Sequence, residues 1–252
     1  MIVAGFKAAT TTAACEQCAA SKRCMLCGLF SAQEESEQQF AVRSEELKRG
    51  DTLFTTGQTF KQLYVIRSGS IKTSVTGSDG DSQITGFHLQ GAMLGLDGIE
   101  GGEYTHCAQA LESCKLCSIS FTDFSVRVAS TPQLLQMLLH RISRDIKQGN
   151  KMIFMLGKCN AQQRVARFLF DLSDRYRSSG KSAKYLSLTM SRHDIASYLG
   201  LASETASRVL QRFQSMGLIT VERRNITLKN TTQLRHIAND RSLRRELVGL
   251  AS

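Results

Sequence analysis

Alternation of apolar and polar residues dominates the chain from about Leu47 to Phe121. Segments such as SQITGFHL and CKLCSISF interleave apolar and polar side chains, QLYVIRSGSIKTSVT begins with a continuous apolar run, and glycine-bearing turns such as that at 79–81 separate these segments. Because successive side chains of a strand point to opposite faces, this pattern is typical of short strands with a buried face. The spacing of the strands predicts an antiparallel β-roll or barrel.

A longer period replaces this alternation after Pro132. Apolar positions there recur at alternating steps of four and three residues over three heptads. The heptad seam consists of Leu135, Leu139, Ile142, Ile146, Gly149, Ile153 and Leu156. A sustained period of roughly 3.5 residues predicts a helix over 132–157 that pairs with its own copy in a homodimer. The alternative is a helix whose apolar stripe packs against its own domain.

The C-terminal part of the chain is strongly basic. The net charge is +10, and residues 1–157 contribute nothing to it, with 15 Lys and Arg against 15 Asp and Glu. Residues 158–252 have 17 basic and 7 acidic side chains. A basic excess confined to one domain is typical of a module that binds a polyanion, although a merely solvated basic surface would have the same composition.

Within this basic domain, one segment has the order of a winged helix-turn-helix. It reads MSRHDIASYLGLASETASRVLQRFQSMGLITVERRNITL. Ser191 and Asp194 have the spacing of a capping box, and the glycine at 200 predicts a tight turn before a second helix that begins near Ser203. Gly217 ends that helix, and the segment LITVERRNITL predicts a two-stranded wing.

Polar residues suited to base recognition lie along the second of these helices. Arg can pair bidentately with guanine, Glu can accept from cytosine, and Ser is adaptable; the N-terminal end of such a helix enters the major groove. The candidate DNA contacts are Glu204, Ser207, Arg208 and Arg212 on the helix and Arg223 in the wing. The alternative to DNA binding is that two packed helices merely expose charged side chains to solvent.

The eight cysteines favour metal or redox chemistry over disulfides. No apolar run approaches the roughly 20 residues of a membrane-spanning helix, and the N-terminus lacks the order of a signal peptide, so we expect a cytoplasmic protein with reduced thiols. Four cysteines form the series Cys15-x2-Cys18-x5-Cys24-x2-Cys27. This spacing suits a structural zinc site as well as an iron-sulfur cluster.

The sequence motifs support a catalytic function less than they support DNA binding. Paired Cys-x-x-Cys motifs also occur in thiol redox proteins, but no βαβ frame surrounds them here. The chain shows no Ser/His/Asp arrangement, Walker loop or carboxylate pair, and its five histidines show no ligand spacing. The sequence therefore predicts a DNA-binding protein that is not an enzyme.

Four motifs extend over almost the whole chain: Cys-x2-Cys-x5-Cys at 15, 18 and 24, QITGFHL at 83–89, AQALE at 108–112 followed by Cys117, and ETASR at 204–208. With them the sequence resembles the FNR branch of the CRP/FNR regulator superfamily. The resemblance implies an α+β fold with a cysteine-rich segment at 1–28 and a cyclic-nucleotide-binding-like β-roll sensor domain at 29–131. A dimerisation helix at 132–157 and a winged helix-turn-helix domain at 158–252 follow.

The same resemblance implies an oxygen-responsive mechanism. It assigns Cys15, Cys18, Cys24 and Cys117 as ligands of a [4Fe-4S] cluster, which oxygen converts to [2Fe-2S], so that the dimer weakens and releases DNA. The implied DNA site is a palindrome of the TTGAT and ATCAA kind, and the implied further partner is RNA polymerase, with the turn at 79–81 as a candidate contact. A CRP-like regulator with a structural zinc site is the alternative.

The remaining cysteines have separate interpretations. Cys114 is three positions from Cys117 and so faces the other side of a strand. Cys27 lies outside the family pattern and could replace Cys24 or Cys117 as a ligand, or be a free thiol. We interpret Cys107 and Cys159 as small buried apolar residues.

Cyclic nucleotide binding is not expected. The branch of the superfamily that binds cyclic AMP holds the phosphate with Gly-Glu and a later Arg-Ser or Arg-Thr. Here Leu96 occupies the glutamate position and Tyr104-Thr105 the arginine-threonine position. A phosphate without its arginine is poorly held.

Overall fold

The computed structural model describes Cys24 and residues 42–239. Its internal contacts divide the chain into two units, residues 1–145 and 146–252. Within the described residues, no helix combines the length and the apolar composition that crossing a membrane requires.

Two four-stranded antiparallel sheets form the first unit. Its described strands are β1 Arg43–Leu47, β2 Thr52–Phe54, β3 Gln62–Ser68, β4 Ser70–Thr76, β5 Ser82–Leu89, β6 Met93–Leu94, β7 Cys107–Ala110 and β8 Cys114–Ser120. One sheet has the strand order β1-β8-β3-β6 and the other β2-β7-β4-β5. This arrangement confirms the antiparallel β-roll predicted from the alternation, with one strand, β1, that begins before the predicted start.

Strand β3 of the first sheet is buried on both faces. Tyr64 and Ile66 of β3 pack with residues of the second sheet, whereas Leu63 and Val65 pack with residues of the helices that follow the β-roll. Alternate side chains of one strand thus enter two different apolar clusters. For this reason β3 is almost continuously apolar rather than alternating.

Two helices follow the β-roll. Helix α1 (Phe121–Ser130) begins at Ser120, whose hydroxyl oxygen accepts a hydrogen bond from the amide of Asp123 at 3.1 Å. Helix α2 (Pro132–Lys158) begins with proline, which has a backbone angle that suits the first helical position. The sequence analysis predicted α2 but not α1, although the pair Ser120 and Asp123 has the spacing of a helix N-cap.

The second unit contains the end of α2 and the predicted winged helix-turn-helix. Its elements are α3 Ala161–Ser178, β9 Tyr185–Ser187, α4 Arg192–Tyr198, α5 Ser203–Ser215, β10 Ile219–Glu222, β11 Asn225–Leu228 and α6 Thr231–Asn239. The three strands form an antiparallel sheet of order β10-β11-β9. Strand β9 and helix α6, which the sequence analysis did not predict, complete the unit.

Candidate nucleic-acid interface and cysteine site

The first helix of the helix-turn-helix is fixed by its capping box. The Ser191 hydroxyl oxygen accepts from the Asp194 amide at 3.0 Å, and the Asp194 carboxylate accepts from the Ser191 amide at 2.8 Å. The capping box predicted from the sequence is therefore present in both halves. Ile195 and Ala196 then bury the inner face of α4.

The turn between α4 and α5 depends on Gly200. Its φ of +59° lies in the left-handed region, and a Cβ at this position would lie 3.1 Å from Cδ2 of Leu156. The amide of Leu201 donates to the Ala196 carbonyl at 3.0 Å and closes the end of α4. A side chain at position 200 would be both strained and crowded.

Helix α5 separates an anchoring face from an accessible face. Its buried residues are Ala206, Val209, Leu210 and Phe213. The candidate DNA contacts Glu204, Arg208 and Arg212 are exposed, and Ser207 is half-buried. Helix α5 is thus held by its apolar side and presents its charged side chains to solvent, which is the orientation that groove binding requires.

The wing ends in a basic turn. Strands β10 and β11 pair antiparallel, and Arg223 in the connecting turn is exposed with a φ of 54°. The carbonyl of the neighbouring Arg224 accepts a hydrogen bond from the Leu188 amide at 2.8 Å, which ties the turn to the sheet. The candidate contact Arg223 therefore lies at an exposed tip supported by buried Ile219 and Ile226.

Helix α2 has apolar side chains on two faces. Leu134 is buried, and Leu138 packs against the same apolar cluster of the first unit. The heptad seam contains the exposed side chains Leu135, Leu139, Ile142, Ile146 and Ile153. Ile146 and Ile153 are 60% and 72% exposed, so the described part of the chain does not cover the middle of the seam.

Gly149 and Leu156 complete the seam and differ from each other. Gly149 is exposed, and no atom lies within 4 Å of the position that its Cβ would take. Leu156 is half-buried, because its Cδ2 lies against Gly200 of the helix-turn-helix. The structure thus places Leu156 at a contact within the subunit.

Cys24 and Cys117 lie in the same apolar surroundings. Cys24 is buried in a cluster with Leu63, Val65, Met93, Ile119, Phe124, Val128 and Leu134, and Cys117 packs against this cluster. Cys117 is on β8, opposite Val65 of β3. The structure therefore brings two of the four predicted ligands into one region, while Cys15, Cys18 and the additional Cys27 lie outside the described residues.

Cys114 belongs to the other face of β8. It is buried between the two sheets, and its thiol lies 3.3 Å from the carbonyl oxygens of Ser70 and Glu112. Burial raises the pKa of this thiol, which disfavours the thiolate that a metal would need. The opposite orientation of Cys114 and Cys117 agrees with their spacing along the strand.

Cys107 and Cys159 belong to no group of potential metal ligands in the described part of the chain. Cys159 is buried, as predicted, but Cys107 is only half-buried, because it lies on the outer side of β7 while its neighbour Ala108 points inward. The expectation that Cys107 is a buried residue was wrong in this respect. Among the residues that the structure describes, no group of three or more His, Cys, Asp or Glu side chains is placed to hold a metal ion.

An aromatic stack and a hydrogen-bonded cluster occupy the positions that differ from a cyclic AMP site. The ring of Tyr104 is buried and stacks on Phe54 at 4.0 Å between centroids, and its hydroxyl donates to the Gln62 carbonyl at 2.8 Å. The amide of Thr105 donates to Asp97 at 2.9 Å. Burial raises the pKa of Asp97, but hydrogen bonds from His106 and Thr105 outweigh it and lower that pKa to about 2.

Comparison with known proteins extends these observations. Residues 163–237 match the Crp-like helix-turn-helix domain, and residues 44–129 match the cyclic nucleotide-binding domain. The fumarate and nitrate reduction regulatory protein of Escherichia coli K12 is 39% identical over 224 residues, which are 89% of this chain and 90% of that protein. The protein of the same name from Salmonella typhimurium matches at the same identity and coverage.

Solved structures show the same architecture. FixK2 from Bradyrhizobium japonicum is 25% identical, with a TM-score of 0.73 over 78% of this chain and 97% of that chain. A CRP-family transcriptional regulator from Thermus thermophilus is 20% identical, with a TM-score of 0.63 over 78% of this chain and 97% of that chain. The second likeness concerns the fold alone.

Proposed function

Because the chain belongs to the FNR family within the CRP/FNR superfamily of transcription regulators, we propose that it is an oxygen-responsive regulator of transcription. In this proposal, a [4Fe-4S] cluster in the first unit favours a homodimer that binds palindromic DNA, and exposure to oxygen releases the DNA. The observation that supports the proposal most directly is the shared apolar cluster of Cys24 and Cys117.

The residues at this place fit an iron-sulfur cluster. Thiolates are the ligands of such clusters, and solvent exclusion and apolar surroundings control their reactivity. Cys24 is buried among aliphatic and aromatic side chains, and Cys117 of strand β8 packs against the same group of apolar side chains. We propose Cys15, Cys18, Cys24 and Cys117 as the four ligands. When bound, the cluster supplies oxygen-sensitive iron.

The exposed seam of α2 supports the homodimer. Five aliphatic side chains of the seam are exposed in the single chain, and they repeat at the period of a two-stranded coiled coil. Pairing through this seam would bury them against identical residues of a second copy. A twofold axis along the paired helices would then relate two recognition helices, which is the symmetry that a palindrome requires.

Helix α5 and the wing support DNA recognition. We propose that Glu204, Ser207 and Arg208 contact base edges in a site of the TTGAT and ATCAA kind, and that Arg212 and Arg223 contact phosphates. These side chains are exposed or half-buried on an element whose opposite face is buried. The basic excess of residues 158–252 supplies the electrostatic part of the binding.

Two further parts of the proposal concern the β-roll. The β4–β5 turn at 79–81 is exposed and closed by a hydrogen bond from the Asp81 amide to Asp79, and we propose it as a contact for RNA polymerase during activation.

The buried ring of Tyr104 stands where an arginine would hold the phosphate of a cyclic nucleotide. We therefore propose that cyclic nucleotides are not ligands.

The test is the composition and mass of protein purified without oxygen. We expect iron and acid-labile sulfide at about four atoms each per chain, a dimer mass, and affinity for the palindrome that is lost after exposure to air. A colourless protein with stoichiometric zinc and oxygen-independent DNA binding would contradict the proposal and support the structural zinc site.

A further inference from the structure

Arg164 of α3 makes four hydrogen bonds to backbone carbonyls. Its Nε donates to Cys159 at 2.9 Å, its Nη1 to Leu199 at 2.9 Å and Gly200 at 3.1 Å, and its Nη2 to Leu156 at 2.8 Å. These carbonyls belong to two separate places in the second unit: the end of α2 and the turn of the helix-turn-helix. One side chain therefore connects the dimerisation helix to the element that contacts DNA.

The acceptors explain why an arginine occupies this position. The last carbonyls of a helix have no partner within the helix and form the negative end of its dipole. Leu156 lies in the last turn of α2, and Leu199 ends α4, so the guanidinium meets the C-terminal ends of two helices at once. A planar group with several fixed donors can bridge such ends, whereas the single ammonium of lysine cannot reproduce the fork.

A second contact holds the same junction. A Cβ at Gly200 would lie 3.1 Å from Cδ2 of Leu156 and 3.4 Å from Nη1 of Arg164, so the end of α2 and the turn approach each other closely. The bonds to carbonyls fix direction, and the apolar contact fixes distance. Together they leave the turn little freedom to rotate relative to the end of α2.

We propose that Arg164 is a positioning residue that sets the spacing of the two recognition helices on DNA. The inference rests on the proposed dimer, because in a dimer joined through α2 the end of this helix is the reference point for both DNA-binding domains. Loss of Arg164 would leave α5 intact but allow each domain to move relative to the paired helices. The regulator would then tolerate half-sites at spacings that it normally rejects.

The experiment measures spacing discrimination by the cluster-loaded full chain without oxygen. Two DNA duplexes are compared, one whose half-sites are centred about one helical turn apart, taken as the natural spacing, and one with a single base pair inserted between the half-sites. We expect wild-type protein to bind the duplex with natural spacing much more tightly than the duplex with the insertion. In Arg164→Gln the ratio of these two affinities should fall about tenfold, which is a typical effect for a residue that couples two elements. A merely structural defect would weaken both duplexes alike.

Arg167→Gln is the matched control. Arg167 lies on the same helix, donates to the Ala238 carbonyl at 2.8 Å and stands over the ring of Phe154 of α2, but its hydrogen bond goes to α6 and not to the turn. We expect this variant to keep the spacing preference. Equal loss in both variants would overturn the assignment to Arg164.

The remaining outcomes also decide the question. A folded, dimeric Arg164→Gln protein with wild-type spacing preference overturns the inference while leaving the proposed function intact. If Arg164→Gln does not fold, Arg164→Lys is used, and a reduced preference in the lysine variant supports the inference. If neither variant folds, Arg164 is a stability residue and the inference fails. Wild-type protein without dimer or palindrome preference would instead contradict the proposed function.

Discussion

At the scale of single residues, Cys114 and Cys117 of strand β8 lie in different surroundings. Cys117 borders the apolar cluster that contains Cys24, whereas Cys114 is enclosed between the sheets beside backbone carbonyls. Only a side chain on the same face of β8 as Cys117 can approach Cys24. The two thiols therefore offer a matched pair of substitutions on the same strand.

We predict that Cys117→Ser loses the iron-sulfur cluster and that Cys114→Ser retains most of it, because only the first substitution removes a proposed ligand. Iron and sulfide content, with the visible absorbance of protein purified without oxygen, measures the difference. Cys27→Ser is expected to be nearly silent. Equal iron content in the Cys114 and Cys117 variants would reverse the assignment of the ligand.

Asp97 gives a prediction for pH. The pKa of this carboxyl falls from 3.8 to about 2 in the folded protein, and its side chain is 25% exposed. A lowered pKa stabilises the fold above the unfolded pKa, and this contribution is lost as the pH falls through the folded pKa. We predict that Asp97→Asn destabilises the protein by about 2 kcal/mol at pH 7.

The difference between Asp97→Asn and wild type should shrink from about pH 4 downwards, because Asp97 itself then becomes protonated. Urea unfolding of both proteins between about pH 7 and pH 3 measures it. Glu46→Gln is a control, since Glu46 is a surface residue paired with exposed Lys115. A stability difference for Asp97→Asn that does not change with pH would show that the carboxylate charge is not its source.

Some of these residue roles were accessible from the sequence and others were not. The capping box of Ser191 and Asp194 and the opposite orientation of Cys114 and Cys117 follow from local spacing alone. The role of Arg164 does not, because its acceptors include carbonyls of the helix-turn-helix turn, which are distant in the chain. Contacts of this kind depend on tertiary packing, which no local period encodes.

At the scale of elements, α2 is a helix with two apolar faces. One face, with Leu134 and Leu138, packs within the first unit, and the other contains the exposed seam. Periodicity alone left open whether the seam packs on its own domain. The exposure of Ile146 and Ile153 shows that the middle of the seam does not pack within the described chain.

We predict that Ile146→Lys is monomeric, because pairing would place two unpaired positive charges in an apolar interface. Ile146 is 60% exposed, so the subunit itself should remain folded, and the cluster should assemble because its proposed ligands lie elsewhere. Palindrome binding should fall steeply even without oxygen. Sedimentation, iron content and a DNA titration on one sample measure these three properties.

His140→Lys is the control for Ile146→Lys, since His140 is exposed on the same helix and lies outside the seam. It adds the same charge without entering the proposed interface. We expect it to dimerise. A cluster-loaded Ile146→Lys protein that dimerises and binds DNA normally would contradict the seam as the interface.

The elements that sequence analysis missed share a physical cause. Helices α1 and α6 have 10 and 9 residues, too short for a period of roughly 3.6 residues to stand out, and they were not recognised from a capping box and a turn glycine as the 7-residue α4 was. Strand β9 has only three residues and exists because it pairs with β11. Long α2 and the alternating strands of the β-roll, by contrast, repeat their patterns often enough to be recognised.

At the scale of the whole molecule, the charge is divided between a neutral N-terminal part and a basic C-terminal part. Residues 158–252 hold the entire excess, and within them Arg208 and Arg223 occupy different surfaces, one on the recognition helix and one at the tip of the wing. In the proposed complex with DNA, Arg208 would contact base edges and Arg223 would contact phosphates. Affinity and selectivity should therefore be separable.

We predict that Arg208→Ala costs about 1 to 3 kcal/mol and relaxes discrimination at a guanine, whereas Arg223→Ala weakens all sequences alike and makes the salt dependence shallower. Titrations against single-base variants of the palindrome at several salt concentrations measure both effects. Uniform weakening by Arg208→Ala would make it a phosphate contact.

The apolar cluster around Cys24 also includes Leu134, in the first turn of α2, and Val128, near the end of α1. Removal of the Cys24 side chain from this cluster would leave a void beside the start of the long helix, and local opening there would become easier. Amide hydrogen exchange in the first two turns of α2 should then accelerate, while exchange in the β4–β5 hairpin stays unchanged. Cys24 would thus influence the local stability of α2 through shared packing.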